Sequence, residues 1–385
     1  MHANENLDPL TPRARQPRRE FLKAGLLGSA AALVPSLSSA ADPVTVHEDL
    51  RAALGKAELS MLFDGKTPEQ CQAWQTQFRT TLTGLLGKST PPAKWSVEEE
   101  SVFESEKFTR RELMLHSDGI PSLPVYLFVP KGLKENEKAP AVVAVHGHGA
   151  HGHHSVAGRD DLEGVAASIE KANYDYGRQF AERGYVVAVP CMIPFGRRVS
   201  KNSYGSDPCA VTFVRMQALG QLLITANIRD LRWAISLLQN QPQVNGEAIG
   251  CAGLSYGGRM TMMVSAIDQR IKVASVSGAL NLMQERMAGR YSCGAQVVPG
   301  LLKYGDYSEI GSLIAPRHCV WETGSKDGLI VPKWDEVFRS RLRRAYSALG
   351  AADPDRLHFD RFEGGHEWSG RIAFPLFDEV LKPQV

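Results

Sequence analysis

The 385-residue chain is short of cysteine, of net charge and of long apolar runs, and each shortage removes a class of function. Six cysteines with no C-x-x-C pair are too sparse for a disulfide framework and carry no zinc-ribbon signature. Cys191 and Cys209 flank one loop, and their pairing in an oxidising compartment is left open; Cys251 sits in an apolar run and reads as a small buried residue. Forty-four basic residues against 42 acidic ones leave a net charge of only +2, which gives nucleic acid or an anionic membrane nothing to bind. The run AGLLGSAAALVP near the N-terminus is far shorter than the ~20 residues that span a bilayer, so no stable membrane anchor is expected. Internal repeats and low-complexity tracts are lacking too.

What is present is an ordinary globular composition, 43% hydrophobic and 22% charged, enough to bury a large core. Arg18-Arg19-Glu20-Phe21-Leu22-Lys23 is followed by the apolar run and then by small residues ending at Ala40 and Ala41. Basic, then apolar, then small is the order of a signal peptide, and R-R-x-F-L-K resembles the twin-arginine signal of bacteria. Residues 1–41 are therefore expected to direct export by the twin-arginine machinery, with a mature chain starting near Ala41 or Asp42 and a periplasmic or secreted location.

Residues 42–95 form an expected N-terminal helical segment, with apolar spacing of three and four over 46–87 and the breakers KSTPPAK behind it. Residues 96–385 form the expected catalytic domain. Strand patterns cover 97–116 and Leu123–Pro130, and then strands and helices alternate. Strands fall at 141–145, 185–190, 248–254, 271–276, 318–322 and Leu357–Phe362; helices fall at 174–183, 211–238, 257–267, 334–349 and Ala373–Leu381. Short continuous apolar strands between helices predict an α/β protein with a mostly parallel central sheet and helices on both faces. Ligands in such sheets bind at the carboxyl ends of the strands. The stretch 281–314, rich in Gly, Met and Tyr, interrupts the alternation and is long enough to cap the site.

Two loops compete to be the reactive one. Residues 145–155 read VHGHGAHGHHS, and the H-x-H-x-x-H of His146, His148 and His151 is close to the H-x-H-x-D-H of metallo-β-lactamase-like zinc hydrolases. The acid position of that motif is Ala150, however, and no histidine occurs between His154 and His318. The other loop, Gly253-Leu254-Ser255-Tyr256-Gly257-Gly258, is G-x-S-x-G between the strand AIGCAGL and the helix RMTMMVSAI, the context of a nucleophile elbow. A serine hydroxyl needs a positioned base, itself oriented by a carboxylate. In this arrangement the chain order is serine, acid, histidine. Asp327 and His366 follow later strands in that order, while Glu322 and Asp335 are rival acids less well placed, and His318 and His358 fall inside strands. An oxyanion hole would take backbone N–H groups from Tyr256 and from His148 in the glycine-rich loop. On this reading His151, His153 and His154 are exposed loop residues with at most adventitious metal binding.

From about Leu123 onward the chain resembles the α/β-hydrolase fold, and within it the dienelactone hydrolase and acetyl xylan esterase-like proteins. The resemblance rests on HGHG at 146–149, GLSYGG at 253–258, CGAQVVPGLLKYGD at 293–306, LIAPRHCVWETGSKDGLIVP at 313–332 and EGGHEWSG at 363–370. It implies Ser255 as nucleophile, Asp327 as orienting acid and His366 as base. Dienelactone hydrolases proper use cysteine, so Ser255 shifts the expectation toward carboxylic esters. Arg215-Met216-Gln217 is similar to the R-x-Q element of the acetyl xylan esterase group, and equally to an ordinary helix surface. The segment before about Gly87 lies outside the resemblance. The expected activity is hydrolysis of a small-molecule or polysaccharide ester through an acyl-enzyme, with no cofactor or metal required. The alternatives are a serine peptidase of the prolyl oligopeptidase-like type, a zinc-dependent hydrolase using the 146–151 histidines, and a non-catalytic binding protein on the same scaffold.

Overall fold

In the computed structural model the described residues are 45–199, 207–289 and 292–382. The expected signal segment, 1–41, lies outside them. Two helices, α1 (Val46–Gly55) and α2 (Pro68–Leu86), come first. Four strands follow, β1 (Ser96–Glu104), β2 (Phe108–His116), β3 (Leu123–Pro130) and β4 (Ala139–Val145). The short helices α3 (His153–Val156), α4 (Val165–Ala172) and α5 (Tyr176–Glu182) lead to β5 (Val186–Pro190). Then come α6 (Pro208–Ala218), α7 (Leu223–Gln239), β6 (Val244–Leu254), α8 (Tyr256–Ile267) and β7 (Ile271–Ser277). The chain closes with α9 (Met283–Gly289), α10 (Tyr307–Ser312), β8 (His318–Gly324), α11 (Pro332–Ala348), β9 (Leu357–Phe362) and α12 (Ala373–Leu381).

All nine strands join one sheet in the order β1-β2-β3-β5-β4-β6-β7-β8-β9. The pairings from β1 to β5 are antiparallel, and those from β5 through β4 to β9 are parallel, as the run of strand-helix units predicts. Alternation along each strand splits the core into two layers. Ala141, Val143 and Val145 of β4 face α7 and α8, whereas Val142 and Ala144 join the layer of Phe180 and Phe377 from α5 and α12.

Three expectations about elements change. The segment 46–87 is two helices, because Thr67 caps a new start reciprocally with Gln70 and Pro68 occupies its first turn. The residues between them bond instead to the segment just before α10, with Leu59 N to Leu302 O at 3.2 Å and Met61 N to Tyr304 O at 2.7 Å. Strand residues 97–116 form a hairpin, β1 and β2, turned at Ser105, whose hydroxyl accepts from Phe108 N at 3.0 Å. The helix expected over 211–238 bends by 100° between α6 and α7, around Gly220 at φ 68°. α2 lays Phe78, Leu82 and Leu86, one helical stripe, into the main core, so the N-terminal helical segment shares the hydrophobic core of the sheet. No single described helix is long and apolar enough to cross a membrane.

Candidate active site

Ser255 stands between the last residue of β6 and the first of α8, with φ 64° and ψ −121°. For a non-glycine residue that conformation costs ~1–3 kcal/mol and persists only where the surroundings enforce it. They do so here. Ser255 N donates to Ser277 O at 2.8 Å, and Arg259 N donates back to Ser255 O at 3.0 Å. Gly257 lets the helix press onto β4, since a Cβ there would lie 1.9 Å from Val145 O. The Tyr256 N–H, in the first turn of α8, has no carbonyl one turn back to serve, and the helix dipole is positive at this end. The Tyr256 ring is anchored below, its hydroxyl accepting from Asn227 Nδ2 at 2.8 Å.

Asp327 and His366 are 39 residues apart and are brought together by the ends of β8 and β9. Ser325 N donates to Phe362 O and Lys326 N to Gly364 O, each at 2.8 Å. The two loops touch at Gly324, where a Cβ would sit 2.0 Å from Gly365 O. His366 Nδ1 meets Asp327 Oδ2 at 2.7 Å, and Asp327 Oδ1 accepts from Leu329 N at 2.9 Å. The His366 ring lies over Gly278, at the end of the strand next to the elbow, and a Cβ at Gly278 would be 2.8 Å from its Cε1. The other ring nitrogen, Nε2, is buried and has no hydrogen-bond partner among the described residues. A buried carboxylate bonded to Nδ1 fixes the tautomer that leaves Nε2 able to accept a proton.

The rival acids have other work. Glu322 is sealed inside β8, where its Oε1 accepts from Gly370 N at 3.0 Å. Burial, with the charge of Asp360 next in weight, pushes its carboxyl up to about 8. Asp335 pairs with Arg339 within α11 at 2.9 Å.

The histidine-rich loop divides its members among three environments, and the expectation that His151, His153 and His154 are exposed is overturned. His153 is fully buried, its ring 4.9 Å from that of Tyr126, because α3 turns the chain inward at this point. His154 is half-buried and bonds Tyr126 Oη through Nδ1 at 2.9 Å. His151 is half-buried as well. His146 is a strut: its Nδ1 donates to Gly147 O at 2.8 Å and its Nε2 accepts from Met192 N at 2.9 Å. Both nitrogens of His146 are thus engaged, which removes the first ligand of the H-x-H-x-x-H zinc pattern. Burial above all pushes the His146 and His154 imidazoles down to about 4. His148 alone is exposed, with its ring against Tyr256 and Phe195 at centroid distances of 4.9 and 5.5 Å.

Ser255, Tyr256 and His148 open on a cavity of about 210 Å³ that segment 281–314 helps to line through Asn281, Cys293 and Gln296, as expected of a cap. Three contributors were not apparent from the sequence. Arg259, one turn after Ser255 on the same helix face, is buried with its guanidinium 3.6 Å from the Tyr307 ring and bonded to Asn281. Asn227 is a buried amide in the apolar stripe of α7 that accepts from Ile193 N and donates to Ile193 O, each at 2.8 Å, besides holding the Tyr256 hydroxyl. Cys293 lies beside Cys209, whereas Cys191 Sγ bonds Phe195 O at 3.1 Å, and all six cysteines are free thiols. Cys209 first, with the His148 ring and the Ala295 amide contributing, holds the Cys293 thiol below its ordinary range. Arg215 and Gln217 lie exposed on α6 and do not line the cavity.

Comparison with known proteins agrees with this architecture. Residues 125–285 match the model of the dienelactone hydrolase family. The chain has the α/β-hydrolase fold. A Bacillus subtilis protein described as a candidate hydrolase, YtaP, is 29% identical over 303 residues, covering 75% of this chain and 95% of its own. A solved structure described as a candidate acetyl xylan esterase from Bacteroides fragilis superposes with a TM-score of 0.73 at 15% identity, covering 90% of this chain and 97% of the other. A glucuronoyl esterase from Solibacter usitatus superposes at 0.58 with 16% identity, covering 81% and 94%. Family model and fold both accord with the ester-hydrolase class implied by the α/β-hydrolase motifs.

Proposed function

We propose that this α/β hydrolase cleaves carboxylic esters with a short acyl group, using Ser255 as nucleophile, His366 as general base and then acid, and Asp327 as the group that orients His366. His366 Nε2 takes the Ser255 proton as the hydroxyl oxygen attacks the ester carbonyl. The oxyanion is met by the amides of Tyr256 and His148. The alcohol leaves with the proton from His366, and water hydrolyses the acyl-enzyme by the same route. What supports this reading is the strained elbow at Ser255 together with a His366–Asp327 pair closed at 2.7 Å, its imidazole over Gly278 at the end of the adjacent strand.

A cavity of about 210 Å³ favours an acetyl-sized acyl group, being smaller than the ~300–1,000 Å³ of sites that enclose drug-sized ligands. The alcohol portion would then lie outside, which suits an acylated carbohydrate. The structural neighbours described as acetyl xylan and glucuronoyl esterases support that class, and the signal-like segment 1–41 supports export through the twin-arginine machinery to the periplasm or beyond. The test is hydrolysis of p-nitrophenyl acetate, butyrate and octanoate, and of acetylated xylan, by wild type and Ser255→Ala. Rates should fall with acyl length, and Ser255→Ala should lose at least ~10³-fold in kcat. Activity that survives in Ser255→Ala would remove the serine mechanism, and cleavage of peptides in preference to esters would remove the substrate class.

A further inference from the structure

The hydrolytic cycle leaves two buried thiols of the cavity unused. Cys209 comes from the start of α6 and Cys293 from the segment after α9, and the side chain of His148 reaches them from the loop after β4. One ligand atom from each of the three lies within 4.8 Å of the other two. A tetrahedral zinc ion with Zn–S near ~2.3 Å and Zn–N near ~2.0 Å sets its ligand atoms roughly 3.5–3.8 Å apart. Closing onto an ion therefore asks for movements of about 1 Å, and His148, between Gly147 and Gly149 and itself exposed, has the freedom to make them.

We propose that Cys209, Cys293 and His148 bind one thiophilic divalent cation of the zinc class, and that occupancy shuts the hydrolytic site. A Cys₂His set is a borderline-soft donor group of the kind zinc takes, with its fourth position left to water. Two buried sulfurs and one exposed imidazole put that position on the cavity side, toward Ser255. Binding releases one proton from each thiol, and no atom changes oxidation state. A disulfide would account for the two sulfurs but not for the imidazole converging on them. Inhibition follows because the metal would seize the side chain of the residue whose amide is proposed to meet the oxyanion, and would fill the cavity. That inhibitory half rests on the ester-hydrolase reading, while the binding half stands without it.

The experiment uses the full chain, reduced with a phosphine, stripped with EDTA and freed of it. Cobalt(II) is titrated in and followed by its thiolate charge-transfer absorption, then displaced with zinc(II). Wild type should saturate at one equivalent, and the Cys209→Ser/Cys293→Ser double variant should show no such band. With p-nitrophenyl acetate, each protein's rate is scaled to its own metal-free rate. Wild type should fall about 100-fold at saturating zinc, the scale of losing one oxyanion donor, and recover with EDTA, while the double variant stays level. The proposal is overturned by the absence of a thiolate band in wild type, by the same band in the double variant, by saturation without a change in rate, or by a Cys209–Cys293 disulfide in the native protein. Should the metal-free enzyme cleave no ester, the ester-hydrolase reading fails, and the cobalt band still decides the site.

Discussion

The elbow at 253–258 and the histidine loop at 145–155 are both glycine-rich turns at the carboxyl ends of neighbouring parallel strands, yet they carry information differently. In the elbow it is the backbone that is constrained. Ser255 holds a strained φ, and Gly257 admits a carbonyl oxygen where a methyl would collide at 1.9 Å. In the histidine loop the backbone is also the part proposed to meet substrate, but the eye is drawn to five imidazoles, whose fates depend on what packs against each. One is a strut, one is sealed against Tyr126, two are half-buried, and one reaches the cavity. A motif is legible where it constrains the main chain, and misleading where it merely collects reactive side chains.

That contrast can be broken at several points. The largest effect is expected at the acid. Asp327→Asn should lower kcat by about 10³- to 10⁴-fold with little change in melting temperature, because the amide favours the wrong histidine tautomer; steady-state kinetics beside calorimetry checks both halves. At the elbow, Gly257→Ala should cost about 3 kcal/mol, roughly 10 °C in melting temperature, since the Val145 carbonyl cannot yield without moving β4. In the histidine loop, His146→Ala should cost about 2 kcal/mol by orphaning the Met192 N–H and leaving a void, whereas His151→Ala should stay within about 0.5 kcal/mol. Equal losses for the two histidines in denaturant titration would erase the distinction drawn between them.

The last prediction is read in the pH dependence of stability and concerns Glu322. Its carboxyl is raised to about 8, so between the ordinary glutamate value near ~4.3 and about 8 the folded protein holds a proton that the unfolded chain has released. The stabilisation is complete below that window and is lost as pH rises through it. Glu322→Gln, which can still accept from Gly370 N, should flatten the decline of melting temperature between about pH 4.5 and 8. A decline unchanged in the variant would show that Glu322 is not the group responsible.

Much of the parallel sheet was legible because its strands are short apolar runs separated by helices, and β3, β9 and α12 fall where periodicity put them. The proposed serine, acid and histidine are named from their chain order, and the fold places Asp327 and His366 within hydrogen-bond distance at the ends of β8 and β9. What the sequence concealed came from long-range contacts. The bend at Gly220 is invisible to an apolar period that continues across it, and the inward turn of α3 is hidden by a polar composition that looks like surface. Asn227, Arg259 and the Cys209–Cys293 neighbourhood carry no local pattern, because each acquires its role from a residue on another element.

The central claim is that Ser255 is the residue that becomes acylated. The most direct measurement is peptide mass spectrometry of the intact enzyme after reaction with a fluorophosphonate, alongside a rapid-quench burst with p-nitrophenyl acetate. The account predicts a single phosphonyl adduct on the peptide carrying Ser255, a burst of one nitrophenol per chain, and neither in Ser255→Ala. Turnover of the ester with no adduct at Ser255, or an unchanged burst in Ser255→Ala, would contradict it.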